Sequence, residues 1–222
     1  MVFTTKKIAA VYDQIASNFS LSRGKLSPAA RKLLPALHPE ARVLDLGCGN
    51  GVLLSALPVD ANYTGIDISK SLIQEAKRLH PGNQFIQADI AKNETYEKLP
   101  QFDLIVCLAT LHHLPKSSDH LFVLQQIKKH LKPSGIILVS AWHLWKLKFL
   151  RYHVSFRHLA IPFHGGPKRL FYAFTKQELL NLAKKVGLTL SEIKIDGNNL
   201  FYKLSTAPRE CGKRTPEVRK GV

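Results

Sequence analysis

Residues 42–51 read Arg-Val-Leu-Asp-Leu-Gly-Cys-Gly-Asn-Gly. The apolar residues Val43, Leu44 and Leu46 stop abruptly at three alternating glycines, Gly47, Gly49 and Gly51. An apolar run cut short in this way predicts a buried parallel strand that turns sharply into a helix. Glycines at the turn adopt backbone angles barred to other residues, and they let a ligand approach the main chain. A helix beginning there offers its free N–H groups to the same ligand.

The carboxylate of Asp45 narrows the choice of ligand. A dinucleotide site is spaced G-x-G-x-x-G and must accept a pyrophosphate. This chain has G-x-G-x-G, with an acid two residues before the first glycine. A carboxylate there repels a pyrophosphate and attracts an ammonium. A second apolar run, Tyr63-Thr-Gly-Ile-Asp67, ends in an acid about 20 residues after Gly47, the separation expected of a ribose-binding carboxylate. S-adenosylmethionine carries an ammonium, a sulfonium and a ribose, and no phosphate.

These residues resemble the class I S-adenosylmethionine-dependent methyltransferases. The resemblance continues through Ala88-Asp89-Ile90, Phe102–Val106 followed by Leu111-His112-His113-Leu114, and Leu131-Lys132-Pro133-Ser134-Gly135. It implies an α/β fold: a Rossmann-like, doubly wound, seven-stranded and mostly parallel sheet with an antiparallel C-terminal strand. It also implies S-adenosylmethionine as cofactor. The expected cofactor-binding set is Tyr12, Arg23, Asp45, Gly47, Cys48, Gly49, Asp67, Ile68, Asp89, Ile90 and Leu108.

Charge is distributed unevenly. The chain has 222 residues with 32 Lys+Arg against 16 Asp+Glu. Between residues 120 and 177 there are ten basic side chains, six histidines and no acid. The positive charge therefore gathers after the cofactor half, where a fold of this kind presents its substrate. The cysteines Cys48, Cys107 and Cys211 are scattered, which fits a reducing, cytoplasmic compartment and gives neither a disulfide framework nor a metal site. The first residues, Met-Val-Phe-Thr-Thr-Lys-Lys, lack the apolar run of a signal peptide, and no stretch reaches membrane-spanning length.

Apolar spacing predicts one domain over residues 1–205. Residues 1–40 form a helical lid, with a helix over 6–20 and another from Ser27-Pro28 to about Leu37. In that lid Tyr12 and Arg23 either cover the cofactor, with Arg23 on its methionine carboxylate, or serve as a packed ring and a solvated surface charge. A helix is expected over Val52–Leu57 and another after the N-cap Ser69. The helix from Asp119 to about Leu131 precedes a fifth strand, Ile136–Trp142. Asp89 lies where it can accept from the adenine amino group or cap the next turn. His112 and His113 are either general bases or scaffold residues. Thr175-x-x-Glu178 forms a capping box, and residues 188–195 and 200–204 form an antiparallel pair. Residues 206–222 read as a disordered basic tail.

The segment 143–174 joins aromatic and basic side chains. Cations hold phosphates and aromatic faces stack extruded bases, so the expected substrate contacts are Trp142, Trp145, Arg151, His164, Lys168, Arg169 and Tyr172. Val11–Arg23 and Ile161–Leu179 resemble a narrower branch, which methylates the carboxymethyl group of wobble uridine in tRNA and includes the domain fused to AlkB-like proteins. That resemblance implies tRNA as partner and, for eukaryotic members, a small activating subunit. A carboxylate nucleophile is already ionised at neutral pH and requires no base. The rival readings are a small-molecule methyltransferase and a non-catalytic RNA-binding module.

Overall fold

The computed structural model describes residues 4–22 and 24–206. Arg23 and the basic stretch 207–222 lie outside the described residues. Strands β1 (Arg42–Leu46), β2 (Asn62–Asp67), β3 (Gln84–Gln87), β4 (Phe102–Leu108) and β5 (Leu131–Trp142) run parallel. A separate antiparallel hairpin consists of β6 (His158–Pro162) and β7 (Lys168–Tyr172). The last strands, β8 (Thr189–Asp196) and β9 (Asn199–Ser205), complete a seven-stranded sheet of order β3-β2-β1-β4-β5-β9-β8. β9 runs antiparallel to both of its neighbours. The expected doubly wound sheet and its antiparallel C-terminal strand are both present.

The helices are α1 (Thr5–Ser22), α2 (Pro28–Leu33), α3 (Lys70–Leu79), α4 (Ser117–Lys129) and α5 (Lys176–Lys185). Alternate residues of the central strands serve the two faces of the sheet. Leu44, Leu46 and Ile105 meet Val123, Leu124 and Ile127 of α4 and Ala183 of α5. Val43, Leu104 and Val106 meet Leu33 of α2 and Ile73 and Ala76 of α3. Burial on both faces explains why these strands are almost uniformly apolar. The chain leaves β1 toward β2 and β3, then returns to β4 on the other side of β1. The two crossovers diverge there and open a crevice at the carboxyl ends of β1 and β4.

Several expected boundaries are corrected. The helix expected over Val52–Leu57 is a 3-10 segment and ends one residue earlier, at Ala56. Helix α2 ends at Leu33, not Leu37, because Pro35 holds Leu34 in an extended conformation. Helix α4 begins two residues earlier than Asp119, and β5 begins at Leu131 with a break in its pairing to β4. The β6–β7 hairpin was not legible as strands. It covers a small third core of Leu144, Phe149, Leu159, Ile161, Phe171 and Ala173. Among the described residues no helix is long and apolar enough to cross a membrane.

Candidate functional site

The site starts at the end of β1. Gly47, Gly49 and Gly51 have φ of +76°, +56° and +79°, the left-handed region that glycine alone adopts without strain. Gly47 is also sterically fixed, since a Cβ there would lie 2.1 Å from Thr110 Oγ1. The turn is held by N–H donation from Gly47 and Cys48 to the Ile66 carbonyl. The Asn50 amide donates to Ser20 Oγ at 2.9 Å, which ties the end of α1 to the turn.

Asp67 closes β2 beside this turn. Its carboxylate accepts from the Gly49 N–H at 2.9 Å and from the Ser69 N–H at 2.9 Å. Burial raises its pKa, and those backbone donors oppose the rise. Asp45 is buried and accepts from the Tyr63 hydroxyl at 2.9 Å. Burial pushes its pKa up to about 7, against the hydrogen bond from Tyr63. Neither acid is among the ion pairs of the described residues. A buried Asp45 and a half-buried Asp67, neither with a cationic side chain, fit a ligand that brings its own positive charge.

A single cavity runs along the carboxyl ends of the strands. Asp89 and Ile90 line it past β3, with Asp67 and Ile68 past β2. Asp45, Gly47, Cys48 and Gly49 line it at β1, and Leu108 at β4. Asp89 both faces the cavity and accepts from the Ala91 N–H at 2.9 Å, so the two readings of this residue are compatible. The Cys48 thiol is buried, which raises its pKa well above the usual thiol range and removes it as a nucleophile. Tyr12 and Phe19 of α1 form part of the cavity wall. Helix α1 is docked by Asp13, which accepts from Ser69 Oγ at 2.7 Å and the Ser71 N–H at 2.9 Å.

Both histidines line the cavity, and both are engaged by the scaffold. The Trp142 N–H donates to His112 Nδ1 at 3.2 Å, which leaves the ring proton on Nε2. His113 Nδ1 donates to the Leu170 carbonyl at 2.8 Å, so its Nε2 accepts from the Tyr12 hydroxyl at 2.8 Å. His113 therefore links α1 to β7 through the loop after β4.

The expected substrate residues separate into two groups. Trp142 and Arg169 line the cavity. Trp142 stacks on Phe171 with centroids 5.1 Å apart, and Phe171 stacks on His112 at 5.2 Å. The others are not brought to the cavity. Lys168 is exposed on a shallow cleft between α1 and β7. Trp145 packs in the third core and donates from Nε1 to the Ala173 carbonyl at 3.1 Å. Tyr172 is buried and donates to Glu178. Arg151 lies over its neighbour Tyr152, and His164 is exposed in the hairpin turn. Phe19, Thr110 and Phe171 line the cavity and escaped the sequence reading. Phe171 carried a signal, as the inward member of alternating Arg169, Phe171 and Ala173 once strand pairing is known.

The methyltransferase-domain family matches residues 21–193 of this chain. The chain belongs to that family and is a methyltransferase. It is 33% identical over 138 residues to a tRNA (carboxymethyluridine(34)-5-O)-methyltransferase of Arabidopsis thaliana, covering 62% of this chain and 33% of that protein. Its match to the enzyme of that name from Saccharomyces cerevisiae is 31% identical and covers 60% of this chain and 47% of that protein. The methyltransferase thus matches only about a third to a half of the length of these relatives. A ubiquinone biosynthesis O-methyltransferase of Actinobacillus pleuropneumoniae is 27% identical over 161 residues, covering 69% of this chain and 68% of that enzyme. Among solved structures, an S-adenosylmethionine-dependent methyltransferase from Clostridium acetobutylicum aligns with a TM-score of 0.64 at 16% identity, over 92% of this chain and 99% of that one. A Haloferax volcanii methyltransferase, solved in complex with the Trm112 methyltransferase activator, aligns with a TM-score of 0.70 at 15% identity over 90% of this chain and 97% of that one.

Proposed function

We propose that this methyltransferase uses S-adenosylmethionine to esterify the carboxyl of a carboxymethyl group on the wobble uridine of tRNA. The observation that carries the reading is the commitment of His112 and His113 to backbone and Tyr12 partners. Neither ring is arranged to take a proton from an acceptor, so the acceptor must arrive as a nucleophile. A carboxylate does so at neutral pH, whereas a phenol with a pKa of about 10 does not. Two further features support the reading. The acid-free segment 120–177 supplies cations for a phosphate backbone. The sequence is similar to two tRNA carboxymethyluridine methyltransferases.

In this reading Asp45 receives the ammonium of the cofactor and Asp67 the ribose hydroxyls. Asp89 and Ile90 bind and cover the adenine. The bound cofactor supplies an electrophilic methyl on a sulfonium. The acceptor carboxylate oxygen would take that methyl as the S–C bond broke, its electron pair staying on sulfur. No proton moves, so the chain's task is to align the two groups and exclude water. At the end of β4 the left-handed Ala109, φ +52°, turns the chain, and its N–H donates to Ser140 Oγ at 2.9 Å. The reading extends to a small activating subunit, since a methyltransferase of this fold assembles with one.

The test is transfer of labelled methyl from S-adenosylmethionine to total tRNA, followed by mild alkali. Label released by alkali is the expected result and identifies a methyl ester. Alkali-stable label would move the chemistry to nitrogen, carbon or ribose oxygen and refute the carboxylate assignment. Label in a phenolic quinone precursor and none in tRNA would favour the activity of the ubiquinone-pathway relatives.

A further inference from the structure

We propose that Arg169 is the receptor for the carboxylate of the methyl acceptor, and that it selects the anionic acceptor over neutral ones. The inference rests on the wobble-carboxymethyl reading above and names the residue that recognises the reacting group. Lys168 and Arg169 are adjacent cations in the sequence, but strand β7 sends them to opposite faces. Lys168 is exposed, while Arg169 is 7% exposed and lines the cavity.

The Arg169 guanidinium has no ion-pair partner among the described residues, and its buried Nε has no hydrogen-bond acceptor. Its surroundings are aromatic. The guanidinium carbon lies 5.5 Å from the Trp142 ring centroid, 5.1 Å from Phe163 and 5.3 Å from Phe171. Aromatic faces compensate part of the lost hydration of a cation but accept no N–H hydrogen bonds. A guanidinium whose buried Nε has no acceptor is an incomplete site, and the complement of its planar fork is a carboxylate or phosphate.

Position distinguishes between the anions available. The acids Asp67 and Asp89 follow β2 and β3 on one side of the cavity. Trp142 ends β5 on the other side, beyond β1 and β4, and Arg169 is held over Trp142. The cavity is thus acidic where a cationic cofactor is bound and basic where the acceptor reaches it. A carboxylate carried on a flat pyrimidine reaches a ring-walled interior.

The chemistry adds a functional consequence. Esterification converts the anion into a neutral ester, so the Arg169 fork binds the substrate and loses its hold on the product. Because the anion's charge falls as the new bond forms, Arg169 contributes to acceptor binding more than to the chemical step. Replacing it should raise KM for the acceptor more than it lowers kcat.

The experiment uses two anticodon stem-loop RNAs, identical except for 5-carboxymethyluridine or 5-carbamoylmethyluridine at the wobble position. Their affinities are measured for S-adenosylhomocysteine-loaded wild-type protein, R169Q and R169K. We expect the wild type to prefer the carboxylate RNA by tenfold or more. R169Q should bind both RNAs alike, with cofactor affinity within twofold of wild type. R169K keeps the charge without the fork and should recover part of the preference, and it carries the test if R169Q does not fold. The proposal is overturned if the wild type has no preference, if R169Q and R169K keep it in full, or if R169Q loses cofactor affinity tenfold, which would place the guanidinium on the cofactor's own carboxylate. A wild-type preference without methyl transfer to the carboxymethyl RNA would remove the proposed reaction and leave Arg169 as the anion receptor. Methyl transfer with the preference intact in R169Q would remove Arg169 and leave the reaction.

Discussion

Replacing Asp45 by Asn should make the protein more stable at alkaline pH and disable its cofactor site, both through one proton. Burial moves the Asp45 pKa from 3.8 to about 7. The folded protein therefore holds this proton more tightly than the unfolded chain between about pH 4 and pH 7. Stability from this group is fully present below the unfolded value and is lost as pH rises through the folded value. A shift of about three units at 1.36 kcal/mol each corresponds to about 4 kcal/mol. Asn keeps the shape, can accept from the Tyr63 hydroxyl and carries no charge. Urea unfolding of wild type and D45N across pH 4 to 8.5 measures the difference. The two should be nearly equal at pH 4, and D45N should exceed the wild type by about 2–4 kcal/mol above pH 8. Comparing the pair cancels groups of opposite sign, such as His120, whose pKa burial lowers to about 4. Cofactor binding should respond in the other direction. Wild-type affinity for S-adenosylhomocysteine should fall about tenfold per unit below pH 7, while D45N binds weakly and without that dependence. A stability difference that is constant with pH would refute the reasoning, because Asp45 would then be ionised in neither state or in both.

Four other substitutions test separate parts of the site. Asp67→Ala should weaken cofactor binding by about 1–3 kcal/mol through lost hydroxyl hydrogen bonds, read by calorimetry; an unchanged dissociation constant would remove Asp67 from the site. Gly47→Ala should reduce both stability and cofactor affinity, since its Cβ would meet Thr110 at 2.1 Å and its φ of +76° strains any side chain; cofactor-dependent thermal shift measures both. Lys168→Gln should lower RNA affinity and reduce the slope of log K against log salt by about one phosphate's share, with the carboxylate preference retained. His113→Gln should raise KM for the cofactor by loosening α1, since Nε2 bonds the Tyr12 hydroxyl, while kcat keeps its pH profile; a lost basic limb in kcat would restore His113 as a base.

How much of the site was legible depended on the range of the interactions involved. The glycine turn and the acids Asp45, Asp67 and Asp89 are local to strand ends, so an apolar run followed by glycine or acid is enough to locate them. The hairpin segment was harder. Lys168 and Arg169 looked equivalent because charge alone does not say which face of a strand a side chain occupies. The register of β7 against β6, with Ile161 opposite Arg169, is what sends the guanidinium inward. Tyr172 and Trp145 looked like stacking platforms for the same reason, but their polar atoms are satisfied by Glu178 and the Ala173 carbonyl.

The sequence by itself determined the doubly wound sheet, the glycine turn and the uneven distribution of charge. Each follows from neighbours along the chain: hydrophobic period, glycine conformation and the count of acids and bases. Tertiary structure alone decided the hydrogen-bond partners of His112 and His113, the rise of the Asp45 pKa and the surroundings of Arg169. Those properties depend on desolvation and on hydrogen-bond partners far away in sequence. The His113 ring illustrates this, fixed between Tyr12 of α1 and Leu170 of β7. A chain specifies such contacts only once its core has packed, because a buried charge is set by what surrounds it and not by what precedes it.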